Sequence, residues 1–144
     1  MGFEVLAFVC TAFFASACVW VSFVEHPARL ACPTEVALAQ WRPSYKRAAA
    51  MQIALVMVGF LSAVAAAVEG RGSLVVVAGI LLFVMAPYTL IVIMPTNQKL
   101  LDTSRPVDAS TAALLRTWGR LHLGRTAGSL IAVAILAVDI ARRS

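Results

Sequence analysis

The amino-acid sequence predicts an all-α protein, a four-helix transmembrane bundle with a short interfacial helix between the first and second spans. Its composition is 61% hydrophobic and only 13% charged, whereas a soluble domain carries about 25% charged residues. The apolar residues fall into four long runs, each close to the roughly 20 residues that a helix needs to cross a bilayer. None of these runs alternates with a period of two, so helices are expected rather than barrel strands.

The four predicted spans form a single integral membrane domain over residues 1–144. Their bounds are about 3–24, 48–68, 74–94 and 121–140. The first run starts near Glu4 rather than with a basic segment, and it exceeds the roughly 7–15 apolar residues of a signal peptide, so we interpret it as a retained span. Gly70 and Gly72 predict a tight turn between the second and third spans.

The other two connections are longer and contain prolines. The interfacial helix is expected within residues 25–47, in the segment TEVALAQW. In the third connection, residues 95–108, Asp108 is a predicted N-cap because helix-forming residues follow it. The fourth helix is then expected to run from about residue 109 to about residue 140, which is longer than the roughly 30 Å of a membrane core.

Basic residues are concentrated in the first and third connections. This excess predicts that both connections face the cytoplasm, that the termini lie outside, and that the protein is a multi-pass protein of the inner (cytoplasmic) membrane. The net charge of +5 does not indicate nucleic acid, because the basic residues stand in short clusters at span ends. The predicted partners are therefore the lipid bilayer and a lipophilic small molecule, with a homo-oligomer left open.

Polar residues converge on one end of the predicted bundle. Glu25 continues a stripe of small and weakly polar residues on the first helix, and His26 lies beside that stripe. His122 and Arg125 share a face of the fourth helix. Because successive spans alternate in direction, Asn97 of the third span reaches the same membrane side. Ionisable groups in this setting point to a functional site.

The cluster allows two chemical interpretations and one structural interpretation. His26, His122 and Glu25 form a common metal-ligand set, with copper or iron as the metal. Alternatively, His122 or Glu25 is the base of a proton abstraction in a cofactor-free oxidation. In the structural interpretation, Glu25 is a solvated charge at a helix end, Gln52 forms an interhelix hydrogen bond and Asn97 is a helix-end or turn residue.

Four segments occur in a distinctive order along the chain: SFVEHPARL, AQWRPSYKRAAAMQ, PYTLIVIMPTNQKLL and RTWGRLHLGRTAG. Together they resemble the anthrone oxygenase-like family of small integral membrane proteins. The resemblance is greatest to its bacterial branch, many of whose members have no assigned function. It implies a four-helix membrane bundle. For some fungal and actinobacterial relatives it also implies the oxidation of an anthrone to an anthraquinone with dioxygen.

The shared helix faces and the resemblance together predict which residues form the site. The expected catalytic residues are His122, Glu25, Arg125 and Tyr45. The expected substrate-binding residues are Trp41, Trp118, Arg29, Gln52 and Asn97. The first function hypothesis is a membrane oxygenase or oxidase that acts on a lipophilic, phenolic or anthrone-like substrate, with or without a metal. The alternative is a non-enzymatic membrane subunit or small-molecule-binding protein whose polar cluster is structural, so enzymatic activity stays open at this point.

Overall fold

The computed structural model describes residues 2–143, which form four long helices. They are α1 (Gly2–Leu30), α2 (Thr34–Val68), α3 (Ser73–Leu101) and α4 (Ala109–Ala141). Each helix is long and apolar enough to cross a membrane, and no strand occurs among the described residues. The predicted four-helix transmembrane bundle is thereby confirmed, and the four helices fit a multi-pass membrane protein.

Short connections hold the helices in an up-and-down arrangement. Each helix packs lengthwise against two neighbours, so that the four follow one another around a ring in chain order. Gly70 and Gly72 in the connection between α2 and α3 have φ angles of 78° and 91°, which glycine adopts without the steric cost that a side chain brings. The tight turn predicted there is present.

The segment TEVALAQW is helical, as predicted, but it forms the first turns of α2 rather than a separate interfacial helix. Pro33 precedes it in an extended conformation, with φ −51° and ψ 146°, and only a short turn separates it from the end of α1. Pro43 lies inside α2 without ending it. Trp41, which is fully buried, packs these first turns into the bundle core.

The start of α4 and the end of α3 are capped by side chains. The carboxylate of Asp108 accepts hydrogen bonds from the backbone N–H groups of Ser110 and Thr111, so the predicted N-cap is confirmed. Arg42 of α2 donates to the carbonyl oxygens of Leu100 and Asp102, each at 3.0 Å. A cation at this position satisfies carbonyl groups that have no partner within the helix.

The two ends of the bundle are packed differently. At the end that contains residues 2 and 143, the core consists mainly of small side chains: Ala7, Ala63, Ala66, Val75, Ala78 and Leu136. At the other end the core is larger and aromatic: Ala37, Leu38, Trp41, Ile93, Leu100, Leu115 and Trp118. Small residues allow close helix contact, so the helices meet tightly at the first end and leave more room at the second.

Irregular helix turns mark the aromatic end. Val21–Glu25 in α1 and Thr89–Ile93 in α3 are π-helical turns, and each is followed within two residues by a proline, Pro27 or Pro95. Proline lacks the N–H that would continue the regular hydrogen-bond ladder. Such π-helical turns occur often at functional sites, and here both stand at the same end of the bundle.

Two glycines of α4, Gly124 and Gly128, pack against α3. A Cβ atom added to Gly124 would lie 2.3 Å from the Tyr88 hydroxyl oxygen, and one added to Gly128 would lie 2.7 Å from the Met85 methyl carbon. The Tyr88 hydroxyl donates to the carbonyl oxygen of Leu121 at 2.8 Å. The close approach that these glycines permit therefore sets the position of α4 beside α3.

Candidate functional site

A cavity of about 300 Å³ lies at the aromatic end of the bundle. This volume is at the lower limit of the roughly 300–1,000 Å³ of small-molecule sites. Helices α2 and α3 form most of its wall, and α1 and α4 complete it. The polar and aromatic side chains that line the cavity are Arg29, Trp41, Ser44, Tyr45, Gln52, Thr89, Asn97, Trp118, His122 and Arg125.

The cavity opens sideways between α2 and α3. Ile53, Met57 and Leu90 line it and are also exposed on the outer face of the bundle, by 64%, 44% and 62% of their surface. In a membrane this face contacts the acyl chains. The opening is therefore apolar and directed toward lipid, whereas the polar lining residues lie deeper.

An aromatic wall forms one side of the cavity. The Trp41 ring stacks on Tyr45, with 4.9 Å between centroids and 4° between planes, and it meets the Trp118 ring edge-on at 5.7 Å. The Trp41 indole N–H is buried and has no hydrogen-bond partner within the described chain. Flat, stacked rings of this kind suit a flat, apolar ligand.

Asn97 joins the aromatic residues of two other helices. Its side-chain oxygen accepts a hydrogen bond from the Trp118 indole N–H at 2.8 Å, and its amide nitrogen donates to the Tyr45 hydroxyl oxygen at 3.1 Å. Asn97 is fully buried within α3, so it is not the turn residue of the structural interpretation. It fixes the orientation of the aromatic wall.

His122 presents one ring nitrogen without a partner. Its Nδ1 lies 3.0 Å from the Ser22 hydroxyl oxygen, and its ring packs against Trp118 at 4.9 Å. Its Nε2 has no hydrogen-bond partner among the described residues, and the side chain lines the cavity. His122 is thus placed to exchange a proton or a hydrogen bond with a ligand.

Arg125 stands one turn further along the same wall. One of its terminal nitrogens donates to the Gln52 side-chain oxygen at 2.9 Å, which is the interhelix hydrogen bond expected of Gln52. Its Nε has no hydrogen-bond partner in residues 2–143. None of the ion pairs within that range includes Arg125. The cavity wall therefore holds a positive charge that no carboxylate of the described chain neutralises.

Glu25 lies in a hydrogen-bond network behind the cavity rather than in its lining. One carboxylate oxygen accepts from an Arg29 terminal nitrogen at 2.6 Å, from the Gln40 amide at 2.8 Å and from the Ser44 hydroxyl at 2.8 Å. The Arg29 Nε also donates to the Gln40 side-chain oxygen. This network ties α1 to the first turns of α2 and positions Arg29 and Ser44 at the cavity.

His26 is engaged at both ring nitrogens. A terminal nitrogen of Arg29 lies 2.9 Å from Nδ1, and the Leu115 carbonyl oxygen lies 2.9 Å from Nε2. Arginine only donates, so Nδ1 accepts and Nε2 carries the hydrogen. A Cβ added to Gly119 would lie 2.5 Å from this ring, so the glycine lets α1 and α4 approach. His26 is therefore a cross-link between these helices.

The predicted metal ligands are not brought together. Within residues 2–143 no group of three or more His, Cys, Asp or Glu side chains is placed to hold a metal ion. His122 lines the cavity, whereas Glu25 and His26 do not. Metal binding by Glu25, His26 and His122 thus gains no support from this geometry. All the other predicted site residues line one cavity.

Sequence reasoning did not single out three polar residues that contact the site. Ser44 donates to Glu25, and Ser22 and Thr126 hydrogen-bond behind His122. Two of these carry a recognisable signal. Ser22 belongs to the small, weakly polar stripe of α1 that leads to Glu25, and Thr126 follows His122 by one helical turn.

The fold and the cavity define a small integral membrane bundle with an aromatic, cationic site at one end of the bundle. Residues 41–135 match the sequence model of the family described as anthrone oxygenase. This match covers most of the chain, which therefore belongs to the anthrone oxygenase family, as the resemblance predicted. No curated protein and no solved structure matches the chain. The matched range contains every cavity-lining residue of α2, α3 and α4 and leaves α1 outside it.

Proposed function

We propose that the protein is an integral membrane oxygenase that oxidises a lipophilic, phenolic or anthrone-like substrate with dioxygen. The observation that carries the proposal is the pair formed by His122, with an unpartnered ring nitrogen, and Arg125, with no carboxylate partner among the described residues. Both line a cavity with a stacked aromatic wall. Membership of the anthrone oxygenase family supports the reaction class.

The first chemical step is a proton transfer. An anthrone carries an acidic C–H opposite its carbonyl group, because loss of that proton makes the central ring aromatic. The His122 Nε2 accepts the proton as a general base. The negative charge develops on the carbonyl oxygen, and the Arg125 guanidinium stabilises it in a site shielded from water.

The second step forms a carbon–oxygen bond. The electron-rich carbon of the anion transfers one electron to dioxygen, and the two radicals combine to give a peroxide anion. This anion takes the proton back from the His122 imidazolium and becomes a hydroperoxide. Loss of water from the hydroperoxide leaves the second carbonyl group of the quinone. One anthrone and one dioxygen thus give one anthraquinone and one water, and His122 returns to its neutral state.

The test uses purified protein in detergent with anthrone as the probe under air. Oxygen consumption and anthraquinone formation are measured for wild type, His122→Ala and Arg125→Gln. Removal of a general base or of a charge-stabilising donor lowers kcat by about 10²-fold or more. Arg120→Gln is the matched control, because Arg120 lies on the same helix and is exposed. It should retain wild-type activity.

Two outcomes contradict the proposal. Wild-type protein that binds anthrone without consuming oxygen would favour the non-enzymatic small-molecule-binding protein. Equal losses in Arg125→Gln and Arg120→Gln would show that the change in charge and folding, not the site chemistry, controls the rate. Melting temperatures recorded in the same detergent separate lost chemistry from lost folded protein.

A further inference from the structure

A chain of hydroxyl groups lies behind His122, on the side away from the cavity. The His122 Nδ1 lies 3.0 Å from the Ser22 hydroxyl oxygen, which lies 2.8 Å from the Thr126 hydroxyl oxygen. The Thr126 hydroxyl in turn lies 3.3 Å from the carbonyl oxygen of Cys18. Neither Ser22 nor Thr126 lines the cavity, and Thr126 is 3% exposed. This chain bridges α1 and α4.

The carbonyl group at the end of the chain sets its direction. A carbonyl oxygen can only accept, whereas each hydroxyl has one hydrogen to donate. Thr126 therefore donates to Cys18, either alone or shared with the nearby carbonyl oxygen of His122 at 3.4 Å. With its hydrogen used, Thr126 accepts from Ser22. Ser22 has then used its own hydrogen and must accept from the Nδ1–H of His122.

The opposite direction is electrostatically unfavourable. If Thr126 donated to Ser22, its oxygen would face the Cys18 and His122 carbonyl oxygens at 3.3 and 3.4 Å with no hydrogen between them. Lone pairs at this separation repel one another, and in a buried site no water screens the repulsion. The direction that ends on the carbonyl uses every hydrogen in the chain.

We infer that Ser22 and Thr126 are positioning residues that hold neutral His122 as the Nδ1–H tautomer. A neutral imidazole carries one hydrogen, so Nε2 of this cavity-lining histidine has a free lone pair. The role of that lone pair as a base rests on the proposed function. The tautomer itself follows from the hydrogen-bond geometry and does not depend on any substrate.

The second histidine provides an internal reference. The chain contains two histidines, and His26 has Nε2–H because Arg29 can only donate to its Nδ1. The two imidazoles are therefore expected in opposite tautomers. Both pack against the same Trp118 ring at 4.9 Å, so the expected difference comes from their hydrogen-bond partners rather than from their aromatic neighbour.

The experiment measures the tautomers directly. Protein labelled with ¹⁵N-histidine is studied by NMR in detergent micelles at a pH where both rings are neutral. The signals of His122 are assigned by their absence from His122→Gln. We expect His122 to carry its hydrogen on Nδ1 and His26 on Nε2. Observation of Nε2–H for His122 would overturn the inference.

Substitution of Ser22 tests the positioning role. In Ser22→Ala the His122 signals should move toward a mixture of tautomers, while the His26 signals remain unchanged. Ser22→Thr keeps a hydroxyl group and should restore the Nδ1–H form. Ser16→Ala is the matched control, since Ser16 is exposed on the same helix. An unchanged His122 tautomer in Ser22→Ala would contradict the role of Ser22.

Activity measurements separate the inference about the His122 tautomer from the proposed oxygenase function. With anthrone as the probe, Ser22→Ala should lower kcat by about tenfold with KM unchanged, a change that corresponds to about 1.4 kcal/mol, the size of one net hydrogen bond. If the tautomers are as expected but wild-type protein oxidises no anthrone, the proposed function fails and the positioning inference stands. If His122 instead carries its hydrogen on Nε2 and the wild-type protein oxidises anthrone at the full rate, the positioning inference fails and the oxygenase function stands.

Discussion

The surroundings of Arg125 favour a role in ligand binding over a structural role in linking the helices. A charged side chain within a membrane span is costly and normally pairs with another group. Arg29 does so through Glu25 at 2.6 Å. Among the described residues, Arg125 has only the neutral Gln52 as a hydrogen-bond acceptor and the Phe14 ring at 5.1 Å. An anionic oxygen of a ligand in the cavity would supply the missing partner.

Asn97 gives a prediction at the residue scale. Replacement of Asn97 by alanine leaves the Trp118 indole N–H without its acceptor and removes the bond to Tyr45. A buried group left without its partner costs about 1–3 kcal/mol, so Asn97→Ala should lower the melting temperature in detergent. Gln98→Ala is the control, because this neighbouring amide is exposed. Equal melting temperatures for the two variants would contradict the cross-linking role.

The sequence predicted which residues form the site better than it predicted their hydrogen-bond partners. Helical spacing alone places His122 and Arg125 on one face, and it needs no knowledge of rotamers. The partners of Glu25 and His26 could not be predicted in this way. His26 bonds to the backbone carbonyl of Leu115, an atom that no residue-type pattern marks. A histidine used as a helix cross-link and a histidine used as a ligand have the same sequence signature.

At the scale of the helices, hydropathy predicted the four spans because the apolar runs are long and strong. The extension of α2 back to Thr34 was not predicted, since residues 25–47, which contain Pro33 and Pro43, were assigned to a connection with a separate interfacial helix. Pro33 precedes the helix, where it has no effect on the hydrogen-bond ladder, and Pro43 lies inside α2 without ending it. The π-helical turn Thr89–Ile93 was likewise not predicted, since hydrophobic runs do not reveal which turn is widened.

The start of α4 gives a prediction about pH. The Ser110 hydroxyl, followed by the backbone N–H groups of Ser110 and Thr111, lowers the pKa of the Asp108 carboxyl below its ordinary value. A lowered folded-state pKa means that the cap stabilises the fold above the ordinary pKa and loses this effect as pH falls through the lowered pKa. Asp108→Ala should therefore reduce the melting temperature at neutral pH, and the reduction should shrink in acid.

The matched variant for this cap is Asp108→Asn, which keeps a capping side chain. It should lose much less stability than Asp108→Ala at neutral pH. Thermal melts of wild type and both variants across the acid range provide the measurement. A difference between wild type and Asp108→Ala that is independent of pH would show that the charge of the cap contributes nothing.

At the scale of the whole molecule, rigidity and space are separated along the bundle axis. The end that contains residues 2 and 143 is closed by small side chains and by Arg143, whose Nε lies 3.3 Å from Asp139 and 3.8 Å from Glu4. The aromatic end holds the cavity, both π-helical turns and the polar network. A tightly packed end can keep the helices in register while the other end accommodates a ligand.

The orientation of the molecule remains a prediction from its basic residues. If the first and third connections face the cytoplasm, an impermeant maleimide should not label Val36→Cys or Ser104→Cys in intact cells, and should label both after permeabilisation. Ser73→Cys, at the opposite end, should be labelled from outside. Each variant is made with Cys32→Ser, because Cys32 is exposed. Rapid labelling at positions 36 and 104 in intact cells would reverse the orientation.

Because the cavity opens sideways between α2 and α3, the partitioning of a ligand into the bilayer affects which ligands the site selects. A ligand that arrives past Ile53 and Leu90 comes from the acyl chains, so its mole fraction in the lipid, not its concentration in water, determines how often it reaches the cavity. An apparent affinity measured against the aqueous concentration then contains a partition coefficient. Of two ligands that fit the aromatic wall equally well, the one more soluble in lipid would show the higher apparent affinity. Added detergent would lower the mole fraction of ligand in the lipid phase, and so the apparent affinity, without binding to the protein.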